Sequence, residues 1–229
     1  MHSVADEFDS AGVKIHFAVH GTGEPVVLIH GLYANSRMNW DAPGTTALLA
    51  KHFHVITLDC RGHGKSGKPR GENTYGINMV EDVTRLLDHL NLKSARVAGY
   101  SMGAMIAMKL AVTYPERVGA IVLGGMGWIK AGAAMNSVWD KMSRERFSVP
   151  PECPRSFPEF AISEAEIKAV KNPVTVIIGE NDPVRRWNVE PLHHLRPDWP
   201  VQVIPGADHL NCIANPEFKS QLEAALQKP

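Results

Sequence analysis

The amino-acid sequence predicts an α/β protein: a mostly parallel central sheet flanked by helices, with a short cap insertion. Three observations lead there. Short β-branched runs recur along the chain, helical patterns separate most of them from Val26 onward, and one Pro-rich stretch breaks the rhythm. Near-continuous apolar strands alternating with helices need cover on both faces, which a parallel sheet between two helix layers provides.

The strand-like runs are KIHFAV (14–19), VVLI (26–29), HVITL (54–58), ARVAG (95–99), VGAIVL (118–123), VTVII (174–178) and VQVI (201–204). GTGEP (21–25) joins the first two runs directly, so the sheet is expected to begin with an antiparallel hairpin. In INMVEDVTRLLDHLN (77–91), Met79, Val83, Leu86, Leu87 and Leu90 fall on one helical face. A second helix opens just after Ser101 and turns Ala104, Met105, Met108, Ala111 and Val112 toward the core. The last helix has Asn215 as cap, Pro216 in its first turn, and Phe218, Leu222, Ala225 and Leu226 on one side.

Residues 126–170 interrupt the alternation. A Trp- and Met-bearing stretch leads into SVPPECPRSFPEF, with four prolines, and then to a helix from Ser163 whose SEAE has capping-box spacing. The segment reads as a cap insertion over the sheet's edge. The whole of residues 1–229 is expected to form one domain.

Composition narrows the function classes. Lys plus Arg equals Asp plus Glu, 24 of each, so no basic field draws a nucleic acid. Cys60, Cys153 and Cys212 form an odd set without a CxxC pair, which predicts reduced, buried thiols and no zinc site. No stretch approaches the roughly 20 apolar residues that span a bilayer. The first residues carry acids and no signal-like apolar run, so the expected location is the cytoplasm. No cofactor is called for, and the sequence sets no oligomeric state.

The chemistry centres on GYSMG, residues 99–103. It ends one strand and opens a helix, a sharp turn whose backbone packs closely, so the positions two away from the serine must be nearly free of side chain. That turn pushes Ser101 out at the carboxyl end of the sheet, where open α/β sheets hold their ligands. A serine hydroxyl needs a base, and the base a third group to fix its tautomer. Of eleven histidines, His209 follows VQVIPG in the loop before the last helix and is the candidate base. Asp182, just beyond VTVII, is the candidate acid, with Glu180 in the same loop as the alternative. Asp208 is expected to bond locally. An oxyanion needs preorganised donors. The Met102 N–H supplies one, and the Leu32 N–H of HGLYANS the other, with His30 bracing that loop.

These motifs together resemble the α/β-hydrolase superfamily. HGLY, DCRGHGKSGKP, GYSMGA, GENDPV and GADHL occur in its order of serine, acid and histidine, from about Val13 to the final helix. The resemblance implies a serine hydrolase using Ser101, Asp182 and His209 with an oxyanion hole at Leu32 and Met102. Ala104 stands where many relatives have another glycine, and residues 126–170 are shorter than their usual helical cap. RGHGKSGKP also overlaps a phosphate-loop pattern through Gly62, Gly67 and Lys68. That match fails at Pro69, which replaces the magnesium-binding Ser or Thr and blocks the helix that would hold phosphate.

The resulting expectation is a cofactor-independent carboxylesterase acting on small to medium uncharged esters through an acyl-enzyme. Tyr33, Met126, Trp128, Trp139 and Phe147 are candidate pocket walls. Lactonase, carbon–carbon bond hydrolase, thioesterase or cofactor-free perhydrolase chemistry would use the same triad. A slow-hydrolysing ligand receptor is the rival from another class.

Overall fold

The computed structural model describes residues 3–131 and 147–228. Every run read as a strand is one. The strands are β1 (Ser3–Ser10), β2 (Val13–His20), β3 (Glu24–Ile29), β4 (Phe53–Leu58), β5 (Ala95–Tyr100), β6 (Val118–Gly124), β7 (Val174–Gly179) and β8 (Val201–Ile204). They form one eight-stranded sheet in the order β1-β2-β4-β3-β5-β6-β7-β8. The pairs from β4 to β8 are parallel, and the β1–β2 and β2–β4 pairs are antiparallel.

The opening hairpin differs from the one expected. It joins β1 to β2, and GTGEP connects strands that are not neighbours, because β4 lies between β2 and β3. The turn is Ala11–Gly12, both with positive φ (53° and 84°), closing on the Ser10–Val13 pair. Two left-handed residues match the twist of a two-residue hairpin. The β1 sequence hides this strand, since Asp6, Glu7 and Asp9 are exposed and only Phe8 and Ser10 are buried among its described side chains. Charge on an edge strand suppresses pairing with another chain, and also weakens the apolar signal.

Helices cover both faces, as the alternation of strand side chains requires. Val27, Ile29, Val97 and Leu123 pack with Met79, Val83, Leu86, Met105 and Met108 on one side. Val26, Leu28, Ala98 and Val122 pack with Trp40, Leu49, Phe218 and Leu222 on the other. The first layer is built from α2 (Ile77–His89) and α3 (Met102–Thr113), the second from the short α1 (Thr45–Leu49) and the C-terminal α7 (Pro216–Leu226). Asn215 Oδ1 accepts the Glu217 N–H at 2.8 Å, and the predicted apolar face of α7 is buried.

The Pro-rich segment is the second departure. Its described part, residues 147–170, packs against the α2–α3 layer, with Cys153, Phe157, Phe160, Ile162 and Ile167 buried in that cluster, rather than over the sheet's edge. It contains α4 (Glu152–Arg155) and α5 (Glu164–Ala169), the latter with both bonds of the Ser163–Glu166 capping box. Ser156 Oγ and Glu159 Oε2 accept the Gly76 and Ile77 N–H groups, at 2.8 and 3.0 Å, where α2 begins. The segment supplies apolar cover and acceptors that α2 lacks, so it is held inward. A further helix, α6 (Glu190–Leu195), precedes β8.

Candidate active site

Ser101 stands between β5 and α3 with φ 53° and ψ −112°, a conformation L-residues rarely adopt. Neighbouring contacts hold it there. Its N–H donates to the Gly124 carbonyl at 2.8 Å, and its own carbonyl accepts from Ala104 and Met105. The flanking glycines are needed for space: a Cβ on Gly99 would enter the Gly103 carbonyl, and one on Gly103 the Ile29 carbonyl. The turn therefore closes only with glycine at both places.

His209 and Asp182 meet this serine although they are distant in sequence. His209 Nε2 lies 3.0 Å from Ser101 Oγ, and His209 Nδ1 lies 2.7 Å from Asp182 Oδ2. A carboxylate can only accept, so Nδ1 carries the proton and Nε2 is free to accept from the serine hydroxyl. The Asp182 side chain is fully buried, with Oδ1 accepting the Val184 N–H at 2.9 Å, whereas the His209 side chain is 28% exposed. Glu180 is exposed and accepts the Gly206 N–H, so it takes no part in this chain of bonds. Asp208 accepts the Leu210 and Asn211 N–H groups, and those donors hold its carboxyl below the usual range. One member of the surroundings escaped the sequence reading: Tyr100 donates its hydroxyl to the His209 carbonyl at 2.7 Å.

The loop after β3 is braced from beneath. His30 Nε2 accepts the Cys60 N–H at 3.0 Å, so Nδ1 is the protonated nitrogen and donates to the Gly31 carbonyl at 2.8 Å. Burial lowers the His30 pKa, which keeps the ring neutral. Asn39 Oδ1 accepts the Gly31 N–H at 2.8 Å, a role no motif signalled. A Cβ on Gly31 would sit 3.4 Å from Ser101 Cβ, so the loop passes directly beside the serine. Among the described residues, neither Leu32 nor Met102 donates its N–H to a protein acceptor.

Residues 24–160 match the alpha/beta hydrolase fold family. The chain belongs to that family. Similar sequences include a protein of Azorhizobium caulinodans named for carbamate hydrolysis (RutD), 32% identical over 60% of this chain and 50% of that one. Another is a Mycobacterium tuberculosis protein named for non-heme bromoperoxidase activity (BpoC), 39% identical over 48% of this chain and 41% of that one. The chain thus spans half or less of the curated relatives it matches here. Among solved structures, 2-hydroxy-6-oxo-6-phenylhexa-2,4-dienoate hydrolase from Rhodococcus superposes with TM-score 0.80 over 99% of both chains at 19% identity, a likeness of fold.

In this member of the alpha/beta hydrolase fold family a cavity of about 430 Å³ opens at Ser101 and His209, and Leu32, Tyr33, Met38, Phe147, Leu210 and Ile213 contribute apolar wall. Met126 and Trp128, candidates from the sequence, are buried in the α2–α3 cluster and do not line this cavity; the Trp128 indole N–H donates to the Ile162 carbonyl at 2.8 Å. Trp139 lies outside the described residues.

The phosphate-like loop is closed upon itself. The N–H groups of Gly62, His63, Ser66 and Gly67 donate to backbone carbonyls, and that of Lys65 to Asp59 Oδ2. Amides already committed to the chain cannot cradle phosphate. Burial would raise the Asp59 carboxyl, but donors from Lys65 and Ser36 outweigh it and hold it low. Arg61 grips buried Asp82 through Nε and Nη2, at 2.6 and 2.5 Å. Burial pushes all three thiols up, so none is a competing thiolate near neutral pH. Among the described residues no three His, Cys, Asp or Glu side chains are grouped to hold a metal, and no helix is long and apolar enough to cross a membrane.

Proposed function

We propose that the protein is a serine hydrolase that cleaves carboxylic esters of small to medium uncharged substrates. The continuous hydrogen-bond chain Ser101–His209–Asp182 carries this reading. Ser101 Oγ attacks the carbonyl carbon as His209 Nε2 takes its proton, and Asp182 stabilises the imidazolium. The carbonyl oxygen becomes an oxyanion facing the uncommitted N–H groups of Leu32 and Met102. His209 then protonates the departing alcohol. Water, deprotonated by the same nitrogen, attacks the acyl-enzyme, and its collapse restores Ser101.

The cavity volume suits a small or medium ester. The same machinery serves lactones, thioesters, carbon–carbon bond cleavage and peracid formation, and the relatives' names add carbamates to that range. A panel of p-nitrophenyl esters of rising chain length tests the assignment. Multiple turnover with a short- or medium-chain optimum, and labelling of Ser101 alone by an organophosphate, supports it. A single slow turnover on every ester would favour a receptor.

A further inference from the structure

We infer that the cleft at Ser101 continues past Tyr33 to an anion-reading end at Lys68, so that the preferred ester has an apolar middle and a carboxylate at its far end. This rests on the ester-hydrolase reading and amends its uncharged substrate to one that is uncharged around the scissile bond and charged only at its remote end.

Two cavities carry the inference. The one at Ser101 and a neighbour of about 540 Å³ share Tyr33, Ala34, Met38 and Phe147 as walls. The Tyr33 and Phe147 rings meet edge to face, with centroids 6.1 Å apart, and form an apolar partition common to both. Beyond that partition the second cavity runs to Gly64 and Lys68, and Lys68 is the charged residue among its described walls.

Lys68 is suited to reading an anion. Its ammonium donates to the Gly64 and Ser66 carbonyls, at 2.8 and 3.3 Å, so a flexible side chain is held in place before any ligand arrives. Ordering a lysine beforehand removes part of the entropy that binding would otherwise cost. An ammonium has three donors, and two are accounted for. No acidic side chain among the described residues forms an ion pair with it, although Arg70, two residues on, pairs with Glu152 at 3.5 Å. The loop thus fixes a positive charge at the cavity wall and, among the described residues, pairs it with no acidic side chain.

Methyl hydrogen esters of straight-chain dicarboxylic acids, in rising length, are compared with methyl esters of monocarboxylic acids of equal length, following released methanol. At the length that spans both cavities, the wild type should favour the carboxylate-bearing ester by about tenfold in kcat/KM, expressed in KM because the contact is remote from the scissile bond. Lys68→Gln should bring that ratio to about one, and Lys68→Arg should restore most of it. A ratio unchanged in Lys68→Gln, including an equal loss on both series, overturns the inference. So does rejection of the carboxylate-bearing ester at every length. If the wild type hydrolyses neither series, the hydrolase reading fails, and the anion end is judged by calorimetric binding of the same half-esters. Binding lost in Lys68→Gln upholds it, and binding indifferent to Lys68 overturns it.

Discussion

The Tyr100 hydroxyl donates to the His209 carbonyl at 2.7 Å, which ties the last residue of β5 to the loop that carries the histidine. The rings of the two residues also lie 5.7 Å apart, so Tyr100 fixes both the backbone and the setting of the imidazole. Burial pushes the Tyr100 hydroxyl far up, keeping it a neutral donor across the working range.

Removing only that hydroxyl separates position from chemistry. Tyr100→Phe should cost about 0.5–1.5 kcal/mol of stability, the usual net worth of one hydrogen bond. It should also lower kcat severalfold while leaving the pH–rate profile in place. Urea denaturation and ester kinetics measure both, and an unchanged kcat would show that the loop is held without it.

Asp182 and Glu180 share a loop but face different groups. Asp182→Asn should lower kcat by about 10⁴-fold, because an amide cannot hold the Nδ1-protonated tautomer as a carboxylate does. Glu180→Gln, at a side chain that accepts the Gly206 N–H and not His209, should change it little. Side-by-side kinetics on one ester give the ranking, and the reverse order would move the acid to Glu180.

Strain at Ser101 has a measurable counterpart. Ser101→Gly removes the proposed nucleophile and also the Cβ that makes φ 53°, ψ −112° costly. Such conformations cost on the order of 1–3 kcal/mol, offset in part by the greater freedom of unfolded glycine. The variant should be inactive and about 1 kcal/mol more stable. A loss of stability in urea would show that the elbow carries no strain at this residue.

Acid sensitivity should trace in part to His63. Burial, and then the neighbouring His30, lowers its pKa from 6.5 to about 3, so the unfolded chain binds a proton that the folded chain refuses. Between those values the unfolded state holds more protons, and stability therefore falls as pH drops, by up to about 1.4 kcal/mol per pH unit. Above the unfolded value His63 contributes no slope. Denaturation midpoints from pH 7 to pH 4 should fall less steeply for His63→Asn. Parallel curves would assign the acid loss to other groups.

The alternating strands and helices and the turn at Ser101 are legible in the amino-acid order, because each is written locally. Gly99 and Gly103 flank Ser101 within five residues, and the apolar faces of α2 and α7 follow the helical period. Features that depend on neighbours remote in the chain emerge only from how the elements pack. Strand order placed β4 between β2 and β3, and gave the opening hairpin to an edge strand whose charges mask it. Which of Asp182 and Glu180 meets His209 rests on which carboxylate is buried against a ring 27 residues away. The inward packing of residues 147–170, with Met126 and Trp128 held in the core, follows from acceptors and apolar cover that α2 and α3 needed. Periodicity reports which face of an element is apolar; which partner covers that face is settled by competition among all the faces at once.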